Sequence, residues 1–325
     1  MNVQKRRNEL DYSRGIAILL ILIGHTNGIS SVSDKLIYSF HVPLFFFISG
    51  ILIGYNHTEQ RSWKSILKGW VCRLIIPSVI WESILSLSYL VIKDIPLQQL
   101  LRNSLTLNLN LSVLWFIPCM MLAEALWILL LKLLNKHTSW YLYLFFAIAF
   151  ALVAAVVSVT FMTRVLVAAA FVVIGYCFEK AQILIRFEKW KYRFMILIGI
   201  ALLWIGLTMA NVRVDLSACV FGNPVLYYLH SILGSITVVM TLRCVKKEIS
   251  LLQWIGRNSF GFLVTHVFVR HAIIAVEERI FGHYFGGWSL ALLMILLDML
   301  VVWIIALFVP EVFGLSRKKQ ERKEK

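Results

Sequence analysis

The sequence predicts an all-α fold, a polytopic bundle of transmembrane helices, and three observations predict it. Hydrophobic residues make up 60 % of the 325 residues against 15 % charged, and the mean hydropathy is +0.80, which excludes an ordinary soluble globule. Apolar runs long enough to cross a hydrocarbon core recur along the chain, whereas the alternating strands of an outer-membrane barrel are missing. Lysines and arginines favour every second connecting segment, as the positive-inside rule requires of a multi-span chain.

Ten spans follow in order, centred near Leu20, Phe46, Ser83, Leu122, Ala149, Val172, Leu203, Ser231, Phe268 and Leu297. The second opens on Phe40 and His41, with Pro43 near its start, where a missing N–H costs little, and Gly50 where another backbone can approach closely. The third is entered through Arg61, Lys64 and Lys68 interleaved with Trp63 and Trp70, an interfacial lipid-anchoring pattern. A short connection, Ser158 to Thr163, separates spans five and six, and the ninth is interrupted by His266 and Arg270. With the N-terminus cytoplasmic, 24 of the 32 lysines and arginines lie in cytoplasmic segments, 7 lie opposite, and Arg14 sits within the membrane. That bias supports ten spans with both termini inside. Residues 1–10 then form a basic cytoplasmic tail, 11–313 an integral-membrane domain and 314–325 a second basic tail. The N-terminal stretch is too polar for a separate signal peptide, so span one is expected to stay.

The formal net charge of +15 is accordingly a topology signal, directed at anionic lipid rather than at nucleic acid. Cys72, Cys119, Cys177, Cys219 and Cys244 are scattered singly, with no metal-ligand or disulfide spacing, so no metal site is expected. No nucleotide-binding glycine loop, soluble domain or internal repeat is evident. Any chemistry must therefore happen inside the bundle or at its edge, with no permanently bound cofactor.

Candidate residues are the polar ones that do not belong in lipid. At 100° per residue Asp11, Arg14 and His25 fall within about 60° of one another, a single polar stripe on an apolar helix. A charge inside a bilayer costs roughly 2.5 to 3.5 kcal/mol on insertion scales, so the stripe needs partners or a purpose. His41 lies at the outer mouth of span two, separated from His25 by a short loop. Arg73 enters span three on the same side as Arg14, and two guanidinium groups together can clamp a phosphorylated ligand. Glu82, Glu124, His230, His266, Arg270 and Asp298 are further ionisable groups at depth, Glu82 and His266 ranking first.

These residues resemble membrane-bound acyltransferase family 3, in the compact branch that includes fucose 4-O-acetylase-like sugar O-acetyltransferases. Arg7, Asp11, Arg14, Gly15 and His25 match its first-helix pattern, and Phe40, His41, Pro43, Phe45, Phe46, Ser49 and Gly50 its second. Arg73 and Pro77 fit the start of its third, and Gly256, Asn258, Ser259 and His266 resemble its Gly-x-Asn-Ser helix ending in histidine. The chain departs from the family at Met120, where larger members carry a glutamate. The resemblance implies an enzyme of the bacterial inner membrane. It would take an acyl group, usually acetyl, from cytoplasmic acetyl-CoA to a carbohydrate or lipid-linked glycan hydroxyl.

On that reading Arg14 and Arg73 hold the acyl-CoA phosphates, Asp11 and Arg7 orient Arg14, and the thioester is delivered near His25. His25 acts as general base. His41, Ser49, Glu82 and His266 are assigned to the acceptor. Direct transfer is preferred to an acyl-histidine intermediate, since both substrates are held together. A transporter or flippase for a lipid-linked sugar is the rival, but no pair of broken helices in two corresponding halves supports it.

Overall fold

Each of the ten expected span centres falls inside a helix. The computed structural model describes residues 7–92, 95–105, 112–134, 139–281 and 286–315, so most of both basic tails lies outside the described residues. Helix α1 (Asn8–Gly24) ends at His25, and a short loop leads to α2 (Ser31–Tyr38), capped by the Ser30 hydroxyl on the Ser33 amide. After a break at Ser39 and Phe40 comes α3 (His41–Tyr55). Helix α4 (Trp63–Trp70) runs through a π-turn at Val71–Ile75 into α5 (Ile76–Ile92), followed by α6 (Leu97–Leu105) and α7 (Phe116–Leu133). Next come α8 (Leu144–Val156), α9 (Thr160–Lys180), α10 (Ile183–Lys189) and α11 (Arg193–Ala210). Asn223 caps the next helix, α12 (Pro224–Arg243), with Pro224 in its first turn. Last are α13 (Ser250–Arg257), α14 (Ser259–Val276) and α15 (Gly287–Phe308). Among the described residues the one β feature is an isolated bridge between Asp215 and Val220.

Among the described residues eight segments are long and apolar enough to cross a membrane. The two remaining predicted spans are shorter: α1, with 17 residues, and the stretch Trp140–Val156. The molecule is thus an all-helical, multi-pass membrane protein. Burial sorts the helices into layers. In α9, 72 % of the apolar window is buried, whereas in α11 only 6 % is, so α9 lies at the centre and α11 at the lipid face.

Glycines set the central crossings. A Cβ on Gly50 would lie 1.9 Å from the Val172 carbonyl oxygen and one on Gly175 2.0 Å from that of Phe47, so α3 and α9 meet backbone to backbone. The same device joins α1 to α13, where a Cβ on Gly256 would lie 1.8 Å from the Asp11 oxygen and one on Gly15 2.6 Å from that of Leu252.

Ion pairs mark one end of the bundle. Arg7 bonds Glu9 at 2.7 Å and Glu179 at 2.5 Å, while Arg243 reaches Glu9 and Glu188, each at 3.0 Å. These pairs tie the start of α1 to the ends of α9 and α12. At the opposite end the Gly287 amide, at the start of α15, donates to the Asn27 carbonyl at 2.7 Å. The start of α1 and the ends of α9 and α12 therefore share one end, the basic end.

Candidate functional site

The polar stripe of α1 meets α13 near its start, at Asn8 and Asp11, and α14 at its far end, at His25. Asp11 is buried and accepts from Arg257 Nε at 3.3 Å, Asn8 accepts from Gln253 at 2.7 Å, and the Tyr12 hydroxyl accepts from the Ile249 amide. The Gly-Arg-Asn stretch at 256–258 thus serves the α1–α13 crossing: Gly256 lets the backbones meet, Arg257 answers Asp11, and the Asn258 side chain bonds the Trp254 carbonyl at 2.8 Å. Arg7 was expected to orient Arg14 together with Asp11, but its guanidinium is held by Glu9 and Glu179.

Arg14 is half-buried, and its charge acts on Glu124 of α7. Glu124 accepts from the Ser49 hydroxyl and, at 3.0 Å, from Trp70 Nε1. By sequence Glu124 ranks below Glu82, yet the structure makes it the hub of this end. It sits one helical turn beyond Met120, where the expected acid is absent. Arg73 lies three residues past Trp70 on the π-turn, exposed, and among the described residues its guanidinium has no partner.

At the opposite end the His25 and His266 rings are stacked, with centroids 5.2 Å apart and planes 28° from parallel. His266 Nδ1 donates to the Phe262 carbonyl at 2.9 Å and His41 Nδ1 to that of Ile37 at 2.7 Å. A carbonyl only accepts, so in each ring Nδ1 carries the proton and Nε2 is left with a lone pair. Neither ring nitrogen of His25 is hydrogen-bonded among the described residues. His25 faces a cavity of about 20 Å³, room for one water-sized group, shared with Arg270, Ile273, Glu277, Leu290 and Met294. Glu277, buried on a second π-turn, escaped the sequence analysis. Its signal is spacing, since His266, Arg270, Ile273 and Glu277 recur on one helix face.

Beyond the histidines lies a charged rim. The Arg213 guanidinium stacks 3.7 Å from the Tyr38 ring and pairs with Asp34 at 2.5 Å and Asp215 at 3.6 Å. Burial works against the Arg213 charge, but the hydrogen bond and charge of Asp34 outweigh it and raise its pKa. Tyr38 in turn meets the His41 ring edge-on and donates to the Gly24 carbonyl at 3.1 Å, beside His25.

The structure therefore gathers His25, His41 and His266 at one end and separates two other expected acceptor residues from them. Ser49 lies two helical turns from His41, roughly 12 Å along α3, and belongs to the Glu124 hub. Glu82 lines a lateral groove of about 920 Å³ between α4–α5 and α7, a lipid-facing hollow with Ser78, Ser86, Ile117 and Met121. A hollow of about 740 Å³ at the basic end holds Lys132 and Lys180, but their ammonium groups are bonded to the carbonyls of Glu59, Arg61 and Gly54. Among the described residues no cluster of three or more His, Cys, Asp or Glu could hold a metal.

A family model described as an acyltransferase domain, that of acyltransferase family 3, matches residues 7–307, from the first residue of the ion-pair knot into the last turn of α15. The chain belongs to acyltransferase family 3. No curated protein and no solved structure gives a match. The match runs through both stretches of α1 and α14 that carry His25 and His266.

Proposed function

We propose that the chain is an O-acyltransferase that moves an acyl group, acetyl by preference, from acyl-CoA at the basic end to a hydroxyl of an envelope carbohydrate or lipid-linked glycan. The observation that carries this reading is His25. Its imidazole faces a cavity and stacks on His266, and neither of its nitrogens is spent on the described residues, whereas His41 and His266 each spend Nδ1 on a backbone carbonyl. A histidine placed in this way can take a proton from a hydroxyl delivered to the cavity.

Arg14 and Arg73 hold the donor phosphates as charge-assisted, fork-like partners. Glu124 restrains this end, bonding Ser49 and Trp70 and lying within reach of Arg14. His25 stands eleven residues further along α1, about 16 Å at the helical rise, a gap that the flexible pantetheine arm spans. The walls of the His25 cavity, Ile273, Leu290 and Met294, favour a small acyl group. His25 takes the proton of the acceptor hydroxyl, the oxygen attacks the thioester carbonyl, and the departing thiolate regains that proton. His41 and His266 line the acceptor side, with the Asp34–Arg213–Tyr38 rim as its outer edge.

The basic end is cytoplasmic in this reading, with both termini inside, about ten spans and a place in the bacterial inner membrane. The sugar-acetylase branch of the family is the proposed relative. Acyl-CoA is a co-substrate, and no resident cofactor is required. Mass spectrometry of envelope glycans from cells with and without the gene tests the proposal: a lost acyl increment supports it and names the acceptor. Identical glycans in both would overturn it.

A further inference from the structure

The His25 cavity holds a cation that base catalysis does not use. Arg270 lies one helical turn beyond His266 on α14 and lines the cavity with His25. Its charge acts on both His25 and His266. A guanidinium carries five N–H donors, and none is taken by a described residue. Of the other polar groups around the cavity, Asn27 offers a neutral amide on an exposed loop residue, and the rest are committed or of the wrong kind. The Thr26 hydroxyl donates to the Ile23 carbonyl at 2.6 Å, His266 Nδ1 donates to Phe262, and Glu277 brings a carboxylate. Asp298, one turn past Met294, is hydrogen-bonded to Thr265 at 2.6 Å. From the loop side the Arg213 charge is answered by Asp34 and Asp215.

An acyl carbonyl attacked by an alkoxide develops negative charge on its oxygen. In a low-dielectric site a donor aimed at that oxygen is worth far more than in water. We infer that Arg270 is a catalytic residue of the transfer, its guanidinium taking the oxyanion of the tetrahedral intermediate formed beside His25. The inference rests on the proposed function. The step balances: the acceptor O–H gives its proton to His25, an O–C bond forms, and the thioester π electrons move to the oxygen held by Arg270. The C–S bond then breaks, and the thiolate takes the proton from the imidazolium and leaves as free CoA. Nothing is oxidised or reduced.

The test uses membranes carrying the full chain with endogenous acceptor and labelled acetyl-CoA, read as label in glycan, together with acetyl-CoA affinity of the purified protein. Arg270→Gln should lower kcat about 10²–10³-fold with acetyl-CoA affinity within threefold of wild type, the loss typical of one oxyanion donor. Arg270→Lys, which keeps the charge and loses the fork, should fall between them. Methylguanidinium added to Arg270→Ala should restore part of the rate, which repair of a merely structural arginine would not do. If Arg270→Gln transfers within threefold of wild type, or if affinity falls as far as rate, the inference is overturned and the proposed function stands. If the wild type transfers no label while binding acetyl-CoA, the parent reading fails and Arg270's role fails with it.

Discussion

His25→Ala removes the proposed proton acceptor and leaves the arginines at the far end of α1 in place. Transfer should drop about 10²–10⁴-fold while acetyl-CoA affinity and thermal stability stay near wild type. Proportionate loss of rate, affinity and stability would make His25 a packing residue. Arg14 should behave in the reverse way. Arg14→Ala should weaken acetyl-CoA binding about tenfold or more, since a hydrogen bond to a charged group is worth about 1.5–3 kcal/mol, and Arg14→Lys should still show a defect. Calorimetric titration decides it, and unchanged affinity in both Arg14→Ala and Arg73→Ala would move the donor site elsewhere. Arg14 and His25 are legible in the sequence because helical periodicity alone puts them on one face. Glu124 is less so, because its partners Ser49 and Trp70 come from two other elements, 75 and 54 residues away. Arg270 and Glu277 are visible as ionisable residues in an apolar run, but only the packing of α14 and α15 against α1 shows that they share a cavity with His25.

Whole helices are held by contacts that a single methyl would break. Gly256→Ala would drive a Cβ into the Asp11 carbonyl, and Gly50→Ala one into that of Val172. Each should destabilise by about 1–3 kcal/mol or more, whereas Gly199→Ala, which meets nothing within 4 Å, should be neutral. Thermal unfolding in detergent checks the contrast, and equal midpoints for all three would contradict the crossings described. The close approach at Gly50 is foreshadowed in the sequence, but its partner Gly175 lies in a span that carries no motif. Helix α15 supplies the cavity wall. Met294→Ala should therefore raise butyryl-CoA use relative to acetyl-CoA, about tenfold, since one methylene in an apolar pocket discriminates by roughly 1–3 kcal/mol. An unchanged ratio would show that the wall does not select the acyl group.

Across the whole molecule, ten centres read from hydropathy all fall in helices, because a bilayer leaves few alternatives to a continuous apolar helix. The short first and fifth spans are where hydropathy alone is least decisive: α1 begins at Asn8 with Glu9 and Asp11 in its first turn, and these acids are held in ion pairs to Arg7, Arg243 and Arg257. The proposed reaction makes the bundle a conduit for an acyl group, with the donor at the end of Arg14 and the acceptor at the end of His25, His41 and His266. Sealed vesicles of known orientation test that directly, with labelled acetyl-CoA supplied to one face and glycan acceptor confined to the other. Label should enter the acceptor only when acetyl-CoA is on the face carrying Lys64 and Lys246, and His25→Ala vesicles should transfer about 10²–10⁴-fold less. Efficient transfer with both substrates restricted to that basic face would contradict it.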